Sequence, residues 1–254
     1  MLLYKYCDAE GIKILEEKRI KIPTPADFND PFDCLPWVDV DTPSSREALR
    51  QKIFRRSSPL ARNPPKDFDI AFDETLKSGL QDELLIQSRN NIGVLCLSEK
   101  VDNHLMWSHY SKNHTGFLIE LETNGLYEIG KPDDLINSTR IFKVIYTNNR
   151  PRISFDDSVA HFLTQKDAEW CYEQEWRIFY RKEELKPGFI KEKPALFLDF
   201  PLQQLRNIYL GSKFDPEKVS SIIRILQSPE FSSVGLFRKH LDGRTYNLIN
   251  DQIK

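Results

Sequence analysis

The chain has 254 residues, 40% of them hydrophobic and 29% charged, so it is long and apolar enough to bury the core of one large domain. Its formal net charge of -2 gives no general attraction to nucleic acid, and no stretch has the length and apolarity of a bilayer span. The four cysteines are widely spaced and form no CxxC pair, which argues against a disulfide framework or a structural zinc site. These features predict a cytoplasmic protein with no membrane partner.

Alternating apolar and polar positions near the N-terminus predict two strands and the helix between them, over residues 2–7, 9–18 and 19–22. Asp8 is placed to cap the helix, and Pro23 ends the second strand because proline cannot donate a ladder hydrogen bond. Residues 24–33 are so rich in Asx and proline residues that they predict a rigid loop. We expect Phe28 and Phe32 of this Asx-rich loop to insert into the core.

A helical insertion is predicted over residues 44–90. Apolar residues recur at one-face spacing in two segments, 44–58 and 67–89, and a proline-rich connection separates them. The first segment is locally basic, which is more typical of a solvated face than of a phosphate site. We therefore infer no function from the insertion.

Two apolar runs in the middle of the chain, 92–97 and 116–121, predict buried strands. The short segment between them is rich in histidine and aromatic residues. Side chains in such a connection are fixed by the sheet and can reach a ligand, so we assign Trp107, His109 and Tyr110 to the wall of a pocket. We also expect Trp107 and His109 to be partly buried and to contact the Asx-rich loop, because an exposed tryptophan or an unpartnered buried imidazole is unfavourable.

A later segment brings two carboxylates close to an arginine. After a predicted strand over 141–146 and a helix over 155–164, alternation places Glu173, Glu175 and Arg177 on one face of a strand. The two carboxylates repel each other, which raises the pKa of at least one of them unless Arg177 or another cation lies nearby. A surface Glu-Arg ladder is the alternative, but the aromatic residues around this segment favour a pocket.

The C-terminal third predicts further strands and one helix, over residues 195–200, 207–210, 215–227, 234–240 and 245–249. The dipeptide Asp242-Gly243 predicts a hairpin between the last two strands. Because strands and helices do not alternate regularly, we predict the α+β class. The expected architecture is a single domain over residues 1–254, with a mixed or antiparallel sheet in which the first strand lies near the centre.

Several standard chemistries leave no signature in the sequence, which has no GxGxxG, Walker, GxSxG or HExxH motif and no His-Cys-Cys deaminase pattern. His104, His109 and His114 recur every five residues. This spacing spreads them around a helix instead of aligning them, so no metal site is predicted.

Short motifs distributed over about residues 1–215 resemble those of a widespread bacterial family catalogued as domain of unknown function 2971. They are LYKY at 3–6, FNDPFD at 28–33, CLSE at 96–99, MWSHY at 106–110, HTGF at 114–117 and YEQEWR at 172–177. Membership of that family implies no established activity.

The order strand, helix, strand, Asn-Asp-Pro loop and late Glu-x-Glu is also similar to the ADP-ribosyltransferase fold. This similarity implies that NAD is the substrate and that Glu175, with Glu173 beside it, supports the nicotinamide ribose. A glutamate bound to a ribose hydroxyl stabilises the positive charge that develops as the N-glycosidic bond breaks. The implied activity is that of a NAD-dependent ADP-ribosyltransferase or NAD glycohydrolase, such as a bacterial toxin or phage-defence effector. Lys5 or Tyr6 stands where that fold usually has Arg or His, and no Ser-Thr-Ser follows on the second strand.

The remaining candidate residues are those expected to bind the ligand, in part by stacking on its rings: Tyr4, Tyr6, Asn29, Asp30, Trp107, His109, Tyr110 and Arg177. Two other classes of function remain open. One is a binding module without turnover, such as a phage-defence sensor that holds a nucleotide or a peptide. The other is a nuclease with a divalent metal held by Asp30, Asp33, Glu173 and Glu175. The expected partner is a small-molecule nucleotide, and the sequence specifies neither a macromolecular acceptor nor an oligomeric state.

Overall fold

The structure of the protein is a computed structural model that describes residues 1–38, 42–57, 89–131, 136–153 and 159–254, together with positions 65, 68, 72 and 134. Within these residues the strands are β1 (Leu2–Cys7), β2 (Arg19–Lys21), β3 (Trp37–Val38), β4 (Ile92–Ser98), β5 (Phe117–Glu122), β6 (Glu128–Ile129), β7 (Arg140–Lys143), β8 (Ile145–Thr147), β9 (Arg152–Ile153), β10 (Gln165–Asp167), β11 (Glu175–Arg181), β12 (Lys186–Ile190), β13 (Lys193–Asp199), β14 (Leu205–Leu210), β15 (Gly235–Leu241) and β16 (Leu248–Gln252). The α-helices are α1 (Lys13–Glu17), α2 (Pro43–Ser57), α3 (His104–Tyr110), α4 (Val159–Leu163) and α5 (Pro216–Leu226).

The main sheet has the strand order β16-β15-β14-β5-β1-β4-β11-β7-β6. Its pairs are antiparallel except for β14 with β15 and β6 with β7. The α+β class is therefore confirmed, and the first strand lies in the middle of the sheet as expected. No helix in the described part of the chain combines the length and apolarity needed to cross a membrane.

The central strand β1 pairs differently with its two neighbours. Every residue of β1 is in register with β5, from Leu2 opposite Glu122 to Cys7 opposite Phe117. Its register with β4, in contrast, is confined to Tyr4 opposite Ser98. The two strands therefore diverge, and a cleft opens in the sheet on the C-terminal side of β1.

The two faces of the main sheet have different character. One face carries a continuous apolar core, because alternate residues of the strands point towards α5 and the N-terminal helix. Ile222 and Leu226 of α5 are fully buried in that core. The opposite face is covered by α3, whose Met106 and Trp107 pack on Tyr6. Polar and charged side chains share this second face with the smaller apolar clusters.

Helix α3 is held firmly at both ends. Its N-terminus is capped by Asn103, whose side chain accepts hydrogen bonds from the backbone N–H groups of Leu105 and Met106. Its C-terminus is followed by residues 112–114, which all have left-handed φ angles, of 49°, 56° and 67°. Such conformations cost about 1–3 kcal/mol each for a non-glycine residue, so the surrounding contacts must impose them. The backbone N–H groups of Asn113 and His114 donate to the carbonyl oxygens of Ser108 and Trp107, at 3.1 and 3.2 Å, and hold the chain in this turn.

Most predicted elements are confirmed, with several local corrections. The helix expected over 9–18 is a 3-10 helix, Ala9–Ile12, followed by α1. The strand expected over 141–146 is divided, because β7 joins the main sheet whereas β8 pairs with β10. Strand β12 was not predicted, since it contains Pro187 and Gly188.

Two expectations for the first part of the chain have different outcomes. Phe28 is partly buried against the core, but Phe32 is 59% exposed, so its predicted insertion into the core is wrong. The Asx turn around Asp30 directs Phe32 outward, where its ring lies 5.7 Å from the guanidinium of Arg150. In the helical insertion α2 is confirmed, whereas the predicted helix over 67–89 lies almost entirely outside the described residues.

Candidate active site

A cavity of about 340 Å³ opens where β1 and β4 diverge. Its lining includes seven of the candidate residues, which are Tyr4, Tyr6, Asn29, His109, Tyr110, Glu173 and Glu175. Lys5 also lines it, and its ammonium group donates to the carbonyl oxygen of Cys96 on β4 at 3.3 Å. Lys5 therefore spans the cleft between the two strands.

Three adjacent strands place polar side chains in one row across the cavity floor. Tyr4 of β1 lies opposite Ser98 of β4, and Ser98 lies opposite Glu175 of β11. The hydroxyl of Ser98 donates to the backbone oxygen of Glu173 at 2.5 Å, which fixes the turn that leads into β11. Ser98 was not among the candidate residues, because the sequence does not reveal that β1 and β11 flank β4.

Arg177 lies behind the cavity wall and is fully buried. Its guanidinium donates to both oxygens of Asp33, at 2.9 and 2.7 Å, and to both oxygens of Glu175, each at 2.9 Å. It also donates to the backbone oxygen of Leu163 at 2.7 Å. Arg177 thus fixes Glu175 in orientation and does not itself line the cavity.

A second buried cation, Lys166, lines the cavity and was missed by the sequence analysis. Its ammonium nitrogen lies 2.6 Å from Glu173, 3.4 Å from Glu175 and 3.4 Å from Asp33. Strand β10, which carries Lys166, pairs in parallel with β8 and so brings the lysine under the turn before β11. The three carboxylates and two cations form one buried ionic cluster.

The two glutamates of this cluster have opposite pKa shifts. Burial alone would raise the pKa of Glu175, but the charges of Arg177 and Lys166 outweigh it and lower this pKa to about 2. Burial raises the pKa of Glu173, and the charge of Glu175 adds to that effect while Lys166 opposes it. The site therefore combines a carboxylate that stays ionised with one that accepts a proton more readily.

The Asx-rich loop contacts α3 through Tyr110. The Tyr110 hydroxyl donates to Glu173 at 2.5 Å, and the amide of Asn29 donates to the Tyr110 oxygen at 3.4 Å. Burial and the neighbouring Glu173 raise the pKa of Tyr110, so this hydroxyl keeps its proton as a donor. Asp30 lies beside this contact without lining the cavity, and its Oδ1 accepts from the backbone N–H of Phe32 at 2.9 Å.

Trp107 and His109 were expected to lie together against this loop, and the structure separates them. Trp107 is fully buried, as expected, but it donates to the carbonyl oxygen of Val101 and packs edge-on against Tyr6 at 5.4 Å. His109 is exposed, so its expected burial is wrong; its ring lies 6.3 Å from those of Trp170 and Tyr172 at the cavity mouth. Trp107 therefore supports a wall residue and does not line the cavity itself.

The acidic residues of the site do not form a recognisable metal centre. Within the part of the chain that the structure describes, no group of three or more His, Cys, Asp or Glu side chains is arranged to hold a metal ion. The ammonium of Lys166 occupies the space among Asp33, Glu173 and Glu175 instead. Asp30, the fourth carboxylate of the nuclease hypothesis, is not part of the cavity lining.

Part of the chain matches a known protein family. Residues 106–178 match a family described as protein of unknown function, DUF2971. The resemblance to that family is confirmed. The matched range holds Tyr110, Lys166, Glu173 and Glu175 of the cavity lining, and excludes Tyr4 and the Asx-rich loop. No curated protein and no solved structure matches the chain.

Proposed function

We propose that the chain binds NAD and cleaves its nicotinamide N-glycosidic bond, as an ADP-ribosyltransferase or a NAD glycohydrolase. The observation that carries the proposal is the row Tyr4, Ser98 and Glu175, which brings an aromatic ring and an ionised carboxylate to opposite sides of one cavity. An anionic group beside a ring-binding surface suits a substrate from which a flat ring leaves as neutral nicotinamide while positive charge develops on the ribose.

The protonation of the site agrees with this chemistry. As the bond between the ribose C1′ and the nicotinamide nitrogen breaks, its electron pair leaves with nicotinamide and positive charge develops on the ribose. Glu175 is placed to stabilise that charge, because Arg177 and Lys166 keep it ionised despite its burial. An acceptor hydroxyl, amine or water then bonds to C1′, and its proton passes to Glu173.

The geometry leaves Glu175 able to contact a ribose. A carboxylate offers about four lone-pair positions. Arg177 takes one on each oxygen of Glu175 at 2.9 Å, the Cys96 thiol also donates to this carboxylate, and Lys166 makes only a long contact of 3.4 Å with Oε2. A ribose hydroxyl donating to Oε2 would therefore replace the weakest of these contacts. The cavity of about 340 Å³ is at the small end of ligand sites, so it suits the nicotinamide riboside part of NAD, with the rest of the dinucleotide outside.

The test is the release of free nicotinamide from NAD by the purified chain, with and without a candidate acceptor. Glu175→Gln keeps the shape and removes the charge, so release should fall about 10²–10³-fold with the fold retained. Glu99→Gln is the matched control, because Glu99 pairs with Lys143 at 2.9 Å and does not line the cavity. It should release nicotinamide at the wild-type rate, and equal release by wild type and Glu175→Gln would refute the proposal.

A second candidate, a nucleotide-binding module without turnover, is favoured by one observation. Both oxygens of Glu175 already accept from Arg177, an arrangement that also suits a rigid structural ion pair. This candidate predicts saturable NAD binding by calorimetry with no nicotinamide released under any condition. Release above the Glu175→Gln level would exclude it.

A further inference from the structure

Lys166 has surroundings that distinguish it from an ordinary surface lysine. Its side chain is only 4% exposed, and its ammonium nitrogen lies 4.8 Å from the centre of the Trp170 ring. Three carboxylates surround it, with Glu173 closest at 2.6 Å and Glu175 and Asp33 each at 3.4 Å. A lysine buried at this cost requires compensating negative charge, and the distances indicate which carboxylate supplies most of it.

The two glutamates depend on different cations. Glu175 is bound on both oxygens by Arg177, so it has a cation of its own. Glu173 accepts from Lys166 on one oxygen and from the neutral hydroxyl of Tyr110 on the other. Among the described residues, Lys166 is therefore the cation that pairs with Glu173.

We infer that Lys166 is a positioning residue that holds the carboxylate of Glu173 in the cavity and keeps it in its ionised form, ready to take the acceptor's proton. Arg177 positions the carboxylate of Glu175 and keeps it ionised in the same way. The two carboxylates can then play different roles although they are adjacent along the chain. The inference about positioning stands on these contacts, and only its consequence for turnover rests on the proposed function.

The charge of Lys166 determines how readily Glu173 takes up a proton. The titratable and charged groups around Glu173 are Lys166 from β10, Tyr110 from α3, Tyr146 from β8, Tyr172 from its own 3-10 helix and Glu175 from β11. Asp33 of the Asx-rich loop shares the Lys166 ammonium with Glu173. Lys166 is the positive charge in this set. Its removal leaves only the hydrogen bond from Tyr110 to oppose burial and the charge of Glu175, which both raise the pKa of Glu173.

The first measurement does not require activity. In protein labelled with ¹³C at the glutamate carboxyl groups, the signal of Glu173 is assigned through its loss in Glu173→Gln, and its titration is followed from about pH 4 to pH 9. We expect Lys166→Met to raise the midpoint of Glu173 by about one pH unit or more, a tenfold change in proton affinity. Lys166→Arg keeps the charge and should restore the wild-type midpoint. In all three proteins Glu175 should remain ionised over this range.

The matched control is Lys239→Met. Lys239 is also a fully buried lysine, paired with Asp102 and placed 4.9 Å from the Tyr209 ring, but it does not line the cavity. A general loss of packing would affect both lysine variants, whereas the midpoint of Glu173 should move only in Lys166→Met. An unchanged midpoint in Lys166→Met overturns the inference. If that variant does not fold, a titration midpoint of Glu173 that moves in Lys166→Arg, where the charge is kept, overturns it instead.

The second measurement connects the inference to turnover. Where the wild type releases nicotinamide, Lys166→Met should move the acid limb of the kcat/KM profile to higher pH by the same amount as the Glu173 midpoint. Its kcat at low pH should fall about tenfold for each pH unit by which that midpoint rises, with KM for NAD little changed. A uniform loss at every pH with no movement of the limb overturns the inference. Absence of release by the wild type refutes the proposed function alone, because the carboxyl titration still decides the role of Lys166.

Discussion

Two buried glutamates in one row of the main sheet have opposite surroundings. Glu120 of β5 and Glu175 of β11 lie on either side of Tyr4, and each is 5% exposed. Glu120 accepts from neutral donors, the amide of Asn207 at 2.5 Å and the hydroxyl of Tyr209 at 3.0 Å. Glu175 accepts instead from the guanidinium and ammonium groups of the ionic cluster.

The two buried carboxylates are satisfied by different kinds of partner. Neutral donors are sufficient to satisfy the hydrogen bonding of Glu120, which does not line the cavity. Glu175 pairs instead with two cations, and the cost of desolvating Arg177 and Lys166 is offset by the three carboxylates of the ionic cluster. The charged surroundings, and not burial alone, therefore distinguish Glu175 from Glu120. Variants that remove either set of donors test this contrast.

The largest expected effect is at the centre of the ionic cluster. Arg177→Met leaves Asp33 and Glu175 buried without their main cation, so the free energy of unfolding should fall by about 3–5 kcal/mol. Chemical denaturation measures the loss. Lys186→Met is the control, since Lys186 and Asp199 form a pair with side chains 68% and 73% exposed, and it should change stability by less than about 1 kcal/mol. A similar small change in Arg177→Met would mean that the cluster is not stabilising.

A smaller effect should appear in the pH dependence of stability. Because the folded-state pKa of Glu175 is lowered to about 2, its ionised form stabilises the fold above the unfolded-state pKa, and this contribution is lost as the pH falls towards 2. The difference in unfolding free energy between wild type and Glu175→Gln should therefore narrow by about 1–3 kcal/mol between about pH 5 and pH 2. The raised pKa of Glu173 acts in the opposite direction. Burial raises it in both proteins, whereas the charge of Glu175 raises it only in the wild type, so Glu173 reduces the expected narrowing. Parallel stability curves for the two proteins would contradict this assignment.

The sequence predicts the strands better than it predicts the site. Strands β1, β4 and β5 were recognised because alternation and apolar runs are local signals, and the Glu173-x-Glu175 pair stands out for the same reason. However, Glu173 ends a 3-10 helix and does not join β11, because Gln174 adopts a left-handed φ of 47°. Its carboxylate reaches the cavity by a turn that simple strand alternation does not describe.

Lys166 shows why the rest of the site could not be predicted. Its partners come from the Asx-rich loop, from a 3-10 turn and from β11, and they meet only when the sheet has formed. No local periodicity in the sequence predicts that these residues come together. The arginine of the cluster was found because it lies two residues from Glu175, whereas Asp33 entered the sequence analysis only as a possible metal ligand.

The smallest effects come from a matched pair of tyrosines. Tyr209 donates to Glu120 at 3.0 Å and Tyr110 donates to Glu173 at 2.5 Å. Replacing either with phenylalanine keeps the ring and removes one donor to a carboxylate, so each variant should lose about 0.5–1.5 kcal/mol of stability.

The two variants should differ at the site. The hydrogen bond from Tyr110 lowers the pKa of Glu173, so Tyr110→Phe should move the carboxyl titration of Glu173 to higher pH. Tyr209→Phe should leave it in place, because the described contacts of Tyr209 lead to Glu120 and its neighbours. Suppose that Tyr209→Phe moved the titration midpoint of Glu173 as far as Tyr110→Phe does. Glu120 and the ionic cluster would then be coupled along the row through Tyr4. The contrast drawn between Glu120 and Glu175 would then be wrong.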